Sequence, residues 1–204
     1  MKPPSVSGTE GYAENAAKLA SAWQRLSFAD KPSGILKLVP ATRSRVLDIG
    51  AGIGTDAAAL AAMGHHVVAV EPVDALREAG RACHSSASIK WVADGLPDLL
   101  QIPGAPDFDL VTLFAVWMHL DAIQRGAAMR RIAQLIRSGG RLILSLRHGP
   151  VPPGRRMFSV PADETIALGR AHALVPILKL ESESVQPANR DAGVTWTFLA
   201  FERP

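Results

Sequence analysis

The stretch from residue 46 to residue 71 constrains the fold more than any other part of the chain. It reads VLDIGAGIGTDAAALAAMGHHVVAVE, which is an apolar run, a turn with three glycines, an alanine-rich segment and a second apolar run ending in an acid. This order predicts a strand, a turn, a helix and a strand, the first half of a nucleotide-binding unit. Because glycine tolerates positive φ and has no Cβ to keep a ligand off the backbone, the turn predicts a ligand site.

The spacing of the glycines separates two kinds of ligand. A dinucleotide fingerprint that starts at Gly50 needs a third glycine or alanine at position 55, which is Thr55. The sequence instead has Asp48 and then glycine at positions 50, 52 and 54, and Glu71 closes the second apolar run. This pattern resembles the first motif of class I S-adenosylmethionine-dependent methyltransferases. An NAD(P)-dependent oxidoreductase and a non-catalytic S-adenosylmethionine-binding module remain the alternatives.

The resemblance implies a set of cofactor contacts. The glycine turn would lie against the amino-acid end of S-adenosylmethionine, and the Glu71 carboxylate would accept hydrogen bonds from both ribose hydroxyls. Asp94, after the third predicted strand, would accept from the adenine amine, although an Asp that only caps the following turn is an alternative. The predicted cofactor residues are Asp48, Gly50, Gly52, Gly54, Glu71, Asp94, Gly95, Leu96, Phe114 and Tyr12.

The chemistry of methyl transfer needs few protein groups. The transfer is a direct displacement, so the enzyme must align the reacting atoms and exclude water. A base is needed only for a protonated acceptor, and His119 after the fourth predicted strand is the candidate, with a hydrogen bond to nearby backbone as its alternative role. Basic residues after the fifth predicted strand could form a positive mouth that binds an anionic substrate, namely Arg147, His148, Arg155 and Arg156. Alternatively, the arginines among them would pair with Asp163 and Glu164. The predicted substrate residues are Trp117, Arg147, His148, Arg155 and Arg156.

The pattern along the whole chain predicts a single α/β domain, a doubly wound Rossmann-like fold over residues 1–204. A helical segment, 1–44, would lie over the cofactor, and 45–204 would form the core. The predicted strands are 45–49, 66–70, 89–92, 107–114, 141–146, 175–183 and 194–202. The main predicted helices are 13–26, 56–63, 74–84, 121–136 and 161–173. The resemblance implies a mostly parallel, seven-stranded sheet whose last strand is antiparallel.

Composition limits the partners. The 22 basic and 19 acidic residues give a net charge of +3, a small excess that does not predict nucleic-acid binding, and arginines 125, 130, 131 and 137 would lie on a solvated helix face. No apolar run approaches the ~20 residues of a membrane span, and Cys83 is the single cysteine. A cytoplasmic protein, a monomer or homodimer, is therefore expected.

The absence of two sequence features limits the kinds of substrate that we expect. No Asn-Pro-Pro-aromatic sequence follows the fourth predicted strand, and Cys83 lies on a remote predicted helix, so methylation of nucleic-acid bases is disfavoured. A small-molecule acceptor is favoured instead.

No metal site is expected at His65 and His66, because neighbouring strand residues point to opposite faces.

Overall fold

A computed structural model describes residues 6, 8–86 and 88–204, and its centre is a seven-stranded sheet in the order β3-β2-β1-β4-β5-β7-β6. The strands are β1 Arg45–Ile49, β2 His66–Val70, β3 Ile89–Val92, β4 Phe108–Leu113, β5 Ile136–His148, β6 Val175–Glu183 and β7 Thr195–Glu202. Strands β1 to β5 pair in parallel, and β7 runs antiparallel to both of its neighbours, β5 and β6. The predicted doubly wound sheet with an antiparallel last strand is confirmed.

The strand order places the glycine turn where the sheet reverses direction. The chain proceeds from β1 outward to β2 and β3, and then returns to place β4 on the other side of β1. Ligands of open α/β sheets bind at such a reversal, outside the carboxyl ends of the strands. Gly50, the first residue after β1, lies at this point.

Helices cover both faces of the sheet. They are α1 Ala16–Trp23, α2 Ser33–Leu36, α3 Thr55–Ala62, α4 Asp74–Cys83, α5 Ala122–Leu135, α6 Ala162–Ala171 and α7 Pro187–Asp191, with short 3-10 helices at Phe28–Asp30 and Trp117–His119. Alternate side chains of β5 point into two different apolar layers, one on each face of the sheet. Leu142 and Leu144 pack in the same layer as Ile132 of α5. Ile143 packs in the layer that contains Leu60 of α3. In the part of the chain described, no helix has both the length and the apolarity to cross a bilayer.

The helix that precedes β5 shows one confirmed local feature and one correction. Asp121 caps α5, since its carboxylate accepts from the backbone N–H of Gln124 at 2.9 Å and the Gln124 side chain accepts from the Asp121 N–H at 3.0 Å. Arg125, however, does not lie on a solvated face. It is 5% exposed and pairs with Glu164 of α6 at 2.7 Å, so this arginine joins two helices.

Two segments differ from the predicted elements. Strand β5 begins at Ile136, five residues before the predicted start, and its register with β4 shifts between Phe108 and Leu110. Gly139, with φ +73°, lies in this irregular part, so the glycine pair bends a strand instead of only ending a helix. The polar segment between β6 and β7, predicted as a loop, contains the short helix α7.

Candidate functional site

A cavity of about 490 Å³ runs along the carboxyl edge of the sheet, a volume typical of small-molecule sites. The ends of the central strands form one wall of the cavity, with Gly50 after β1, Glu71 after β2 and Ala115 after β4. The N-terminal segment covers it, with Tyr12 and Trp23 among the lining side chains. Residues from both ends of the chain therefore form one cavity.

The glycine turn is shaped by close packing. Gly50 has φ +70°, and a Cβ there would lie 2.4 Å from Cγ2 of Val116, so no larger residue fits without movement. Gly52 has φ +57° and lies under the ring of Trp23. Gly54 also has positive φ, but a Cβ there would meet Trp91, and this glycine does not line the cavity. Of the three predicted glycines, two face the cavity and the third permits packing behind it.

Asp48 lies below the turn and does not line the cavity. Its Oδ1 accepts a hydrogen bond from the Thr112 hydroxyl at 2.7 Å, and its Oδ2 is buried without a hydrogen-bond partner among the described residues. Burial, with a smaller contribution from Asp56, raises the pKa of Asp48 to about 7. Its position indicates support of the β1–β4 junction in place of the predicted direct cofactor contact.

Glu71 is the buried acid of the cavity wall. Its Oε2 accepts from the backbone N–H of Gly52 at 2.8 Å, and its Oε1 accepts from the N–H of Val73 at 2.8 Å. Each carboxylate oxygen has two lone-pair directions, so each retains one acceptor position. The side chain is 5% exposed, and burial raises the pKa of Glu71 to about 7. The wall thus offers two fixed acceptors to a ligand.

Asp94 takes the alternative role that the sequence left open. Its Oδ1 accepts from the Gly95 N–H at 2.8 Å, its Oδ2 accepts from the Gln101 N–H at 2.6 Å, and the residue does not line the cavity. In this structure the Asp94 carboxylate caps the turn, and its predicted contact with adenine stays a prediction. Gly95 and Leu96 do line the cavity, beside an apolar group formed by Pro72, Val73 and Leu76.

His119 lies at the cavity in a chain of hydrogen bonds. Its Nδ1 is 2.8 Å from the backbone carbonyl of Arg156, which can only accept, so Nδ1 carries the proton. Its Nε2 is 2.9 Å from the Tyr12 hydroxyl and accepts from it. Burial lowers the pKa of His119 and raises the pKa of Tyr12. Both groups are therefore neutral near pH 7, and the imidazole retains a basic nitrogen beside the cavity.

Two of the predicted arginines face the cavity. Arg155 and Arg147 line it, and among the described residues neither has a carboxylate within 4 Å. The Arg155 guanidinium lies 3.5 Å from the centre of the Tyr12 ring. Asp163 and Glu164, the alternative partners expected from the sequence, pair with Lys179 and Arg125 instead. The positive mouth thus consists of two arginines.

The other three predicted substrate residues do not line this cavity. Trp117 is fully buried, and its indole N–H donates to the Thr165 hydroxyl at 3.1 Å, so it packs in the core. His148 lies on the opposite face of β5 and bonds the Thr197 hydroxyl at 2.8 Å. Arg156 pairs with Asp121 at 3.0 Å. These three predictions are corrected, since each side chain is directed to a protein partner.

The cavity also contains residues that the sequence reasoning missed. Lys31 lies 4.4 Å above the Phe114 ring and pairs with Asp56 at 2.5 Å, which holds the N-terminal segment against the start of α3. Trp196 and Phe198 of β7 line the far end. The two-residue period of the predicted last strand puts these aromatic residues on one face and could have indicated them, whereas no sequence signal marks Lys31.

No cluster of three or more potential metal ligands occurs within residues 6, 8–86 and 88–204. His65 is buried, with no hydrogen-bond partner for either ring nitrogen among the described residues, and His66 is exposed and bonds Arg43. His65 immediately precedes β2, whose first residue is His66, and one histidine is buried while the other is exposed.

The chain is similar in sequence to known methyltransferases. The chain is 31% identical over 125 residues to a demethylmenaquinone methyltransferase of Clavibacter sepedonicus, which covers 60% of this chain and 49% of that protein. It is 33% identical over 113 residues to a ubiquinone biosynthesis O-methyltransferase of Xylella fastidiosa, which covers 54% of this chain and 45% of that protein. The chain therefore spans about half the length of the curated relatives it matches.

A solved structure supports the fold over the whole chain. The Burkholderia thailandensis 1,6-didemethyltoxoflavin-N1-methyltransferase, solved with 1,6-didemethyltoxoflavin and S-adenosylhomocysteine bound, superimposes with a TM-score of 0.69 at 24% identity. The match covers 100% of this chain and 93% of that one. A family model described as a methyltransferase domain matches residues 12–195, which include the glycine turn, Glu71 and strands β1 to β6. The chain therefore belongs to the methyltransferase domain family.

Proposed function

We propose that this protein is an S-adenosylmethionine-dependent methyltransferase that acts on an anionic small-molecule acceptor. The observation that carries the proposal is the Glu71 carboxylate, which is buried at the cavity wall and keeps one acceptor position on each oxygen. Two hydroxyl donors on adjacent carbons match two such acceptors, and a ribose supplies them. Membership of the methyltransferase domain family supports the same cofactor.

The residues present fit this cofactor. Glu71 would hold the ribose diol, and the backbone of Gly50 and Gly52 would lie against the amino-acid end. The apolar group of Pro72, Val73 and Leu76 would contact the adenine ring. When bound, S-adenosylmethionine supplies a methyl group activated by its sulfonium. The chain's own contribution is to fix the acceptor in line and to exclude water.

We infer that His119 is the general base when the acceptor arrives protonated. Its Nε2 is the basic nitrogen, because Nδ1–H is committed to the Arg156 carbonyl. The Tyr12 hydroxyl holds Nε2 at 2.9 Å, so the acceptor either displaces this contact or passes its proton through the hydroxyl. In both cases the proton ends on the imidazole, whose orientation the two hydrogen bonds fix.

Calorimetry with S-adenosylhomocysteine and with NADH tests the cofactor assignment. We expect S-adenosylhomocysteine to bind, and Glu71→Ala to weaken its binding by about 10–150-fold, or roughly 1.5–3 kcal/mol, because the ribose donors lose their acceptors. Glu78→Ala, which removes an exposed carboxylate of α4, is the matched control and should bind normally. Binding of NADH alone, or unchanged affinity of a folded Glu71→Ala variant, would refute the assignment.

Turnover of matched anionic and neutral acceptors tests the charge preference. Arg147 and Arg155 face the cavity without a carboxylate partner among the described residues, so Arg147→Gln and Arg155→Gln should each reduce kcat/KM for the anionic acceptor by about tenfold. The neutral acceptor should be affected much less. Arg130→Gln, at an exposed position of α5, makes the same charge change elsewhere. An equal effect of the cavity variants on both acceptors would remove the preference for an anion.

The remaining predictions concern the domain organisation, location and partners of the protein. We infer that residues 1–44 and 45–204 act as one domain, because Tyr12 and Lys31 line the same cavity as Glu71. A cytoplasmic location and a monomeric or homodimeric state stay predictions from the sequence. Neither a nucleic acid nor a membrane is part of the proposed reaction.

A further inference from the structure

The cavity extends past the glycine turn and over the antiparallel end of the sheet. In the register of β5 with β7, Ser145 lies opposite Phe198 and Arg147 lies opposite Trp196. Directly opposite residues of an antiparallel pair share a face, and so do alternate residues of one strand. These four side chains therefore share one face, and all four line the cavity.

Aromatic rings dominate this end. The Phe114 ring centre lies 6.3 Å from that of Phe198 and 6.4 Å from that of Phe28, and Trp196 follows on the same face of β7. We call Phe114, Trp196 and Phe198 the aromatic floor. Lys31 covers the Phe114 ring at 4.4 Å, and Phe198 is 9% exposed, so Trp196 presents the accessible ring. Trp196 is partly exposed, so its ring is open to a ligand.

Charge is placed beside the accessible ring. Arg147 is the cross-strand neighbour of Trp196, and its guanidinium donates to the Pro150 carbonyl at 2.8 Å. Burial lowers the pKa of Arg147, although a guanidinium stays protonated at physiological pH. A flat apolar ring and a cation on the same face of the sheet, both lining the cavity, match a planar ligand that carries an acidic substituent.

We propose that the acceptor is an aromatic or heteroaromatic acid, with its ring on the aromatic floor at Trp196 and its ionised group at Arg147. This inference rests on the proposed methyltransferase function and names the substrate class of the same site. A saturated ring or an open chain fills the space but gains no ring–ring contact, a difference of about three- to tenfold in affinity.

Binding of three small probes to the protein saturated with S-adenosylhomocysteine tests this inference. Salicylate is aromatic and anionic, salicylamide is aromatic and neutral, and 2-hydroxycyclohexanecarboxylate is anionic and saturated. In the unmodified protein we expect salicylate to bind about three- to tenfold more tightly than the saturated acid. Trp196→Leu should reduce this ratio to below about twofold, and Trp196→Phe should retain most of it. Arg147→Gln should weaken salicylate and leave salicylamide nearly unchanged.

The outcomes separate this inference from the one on which it rests. Equal binding of salicylate and the saturated acid, an unchanged ratio in Trp196→Leu, or no binding of salicylate would each overturn the aromatic assignment. Calorimetry with S-adenosylhomocysteine on the same samples reports whether each variant is folded and whether the cofactor site works. Normal cofactor binding with failed probes refutes only the substrate class, whereas failed cofactor binding in the unmodified protein refutes the proposed function.

Discussion

The two halves of the cavity are built in different ways. In the half around the glycine turn, the main contact joins Gly52 and Glu71, which are 19 residues apart in one strand–helix–strand unit. In the half that contains His119 and the two arginines, a contact joins Tyr12 and His119, which are 107 residues apart. The first half is fixed by local backbone hydrogen bonds, and the second by side chains that meet only when the whole chain has folded.

Because of this difference, we expect the two halves to tolerate amino-acid substitutions differently. A glycine turn presents backbone groups to a ligand, and backbone groups do not change with side-chain identity, as a shared cofactor requires. Side chains from separate segments can change one at a time, as varied acceptors require. Variants in the first half should therefore affect cofactor binding, and variants in the second should affect acceptor choice.

The largest effect is expected at Gly50. In Gly50→Ala, the new Cβ would lie 2.4 Å from Cγ2 of Val116, at a φ of +70° that alanine adopts at a cost. Strain and overpacking together should lower the free energy of unfolding by roughly 2–4 kcal/mol. The displaced turn should also weaken S-adenosylhomocysteine binding by at least about tenfold. Urea unfolding and calorimetry measure the two effects.

Gly64 supplies the matched control for this change. It has φ +93°, and a Cβ added there would meet nothing within 4 Å, so Gly64→Ala carries the backbone strain without the clash and should cost roughly 1–2 kcal/mol. Adding Val116→Ala to Gly50→Ala should recover part of the loss, because the clashing methyl group is gone. If Gly50→Ala costs no more than Gly64→Ala, the close packing of the turn does not matter.

If Glu71 holds the ribose as proposed, cofactor binding should depend on pH. Burial raises the pKa of Glu71 to about 7, and the ribose hydroxyls bond most strongly to the ionised carboxylate. Binding therefore favours the deprotonated form, and the affinity for S-adenosylhomocysteine should fall as pH drops through 7. Between pH 8 and pH 6 we expect a loss of about tenfold, measured by calorimetry.

Two variants identify the titrating group. Glu71→Gln should bind more weakly at pH 8 and should lose the pH dependence, because an amide does not ionise. Burial also raises the pKa of Asp48 to about 7, but Asp48 does not line the cavity, so Asp48→Asn should keep the dependence. A tenfold pH effect that survives in Glu71→Gln would assign it to another residue.

The sequence predicted the first half well because its signals are local. The apolar runs and the glycine spacing lie within one continuous stretch, so strand ends, turn and closing acid follow from residues near one another. Asp94 marks the limit of this reasoning. An acid that binds a ligand and an acid that caps a turn occupy the same position in the sequence, and only the folded chain shows the bonds from the N–H groups of Gly95 and Gln101.

The second half was predicted less completely for two physical reasons. The direction of a side chain after β4 depends on a 3-10 turn, in which successive residues point about 120° apart, so Trp117 enters the core while His119 faces the cavity. The docking of Lys31 and Tyr12 depends on partners far along the chain, Phe114 and His119. The predicted strand ends nevertheless placed His119, Arg147 and Arg155 near the carboxyl edge of the sheet, and all three line the cavity.

The smallest effect is expected at the boundary of the two halves, where Ser145 of β5 holds the turn after β4. The Ser145 hydroxyl accepts from the Ala115 N–H at 2.9 Å, and Ala115 has φ +58°, a left-handed conformation that costs free energy for a non-glycine residue. Ser145→Ala should lower the free energy of unfolding by about 1 kcal/mol, whereas Ser138→Ala, at an exposed position of the same strand, should change it by less than about 0.5 kcal/mol.

Adding Ala115→Gly shows what this hydrogen bond does. Glycine adopts positive φ without the steric cost, so the turn no longer needs the hydroxyl, and Ser145→Ala should be nearly neutral in the Ala115→Gly background. Additive losses in urea unfolding would mean that Ser145 stabilises the strand and not the turn. A clear coupling would show that the Ser145 hydroxyl holds the turn at Ala115 in shape. Because Val116, the residue after Ala115, packs against Gly50, both halves of the cavity would then depend on this hydrogen bond.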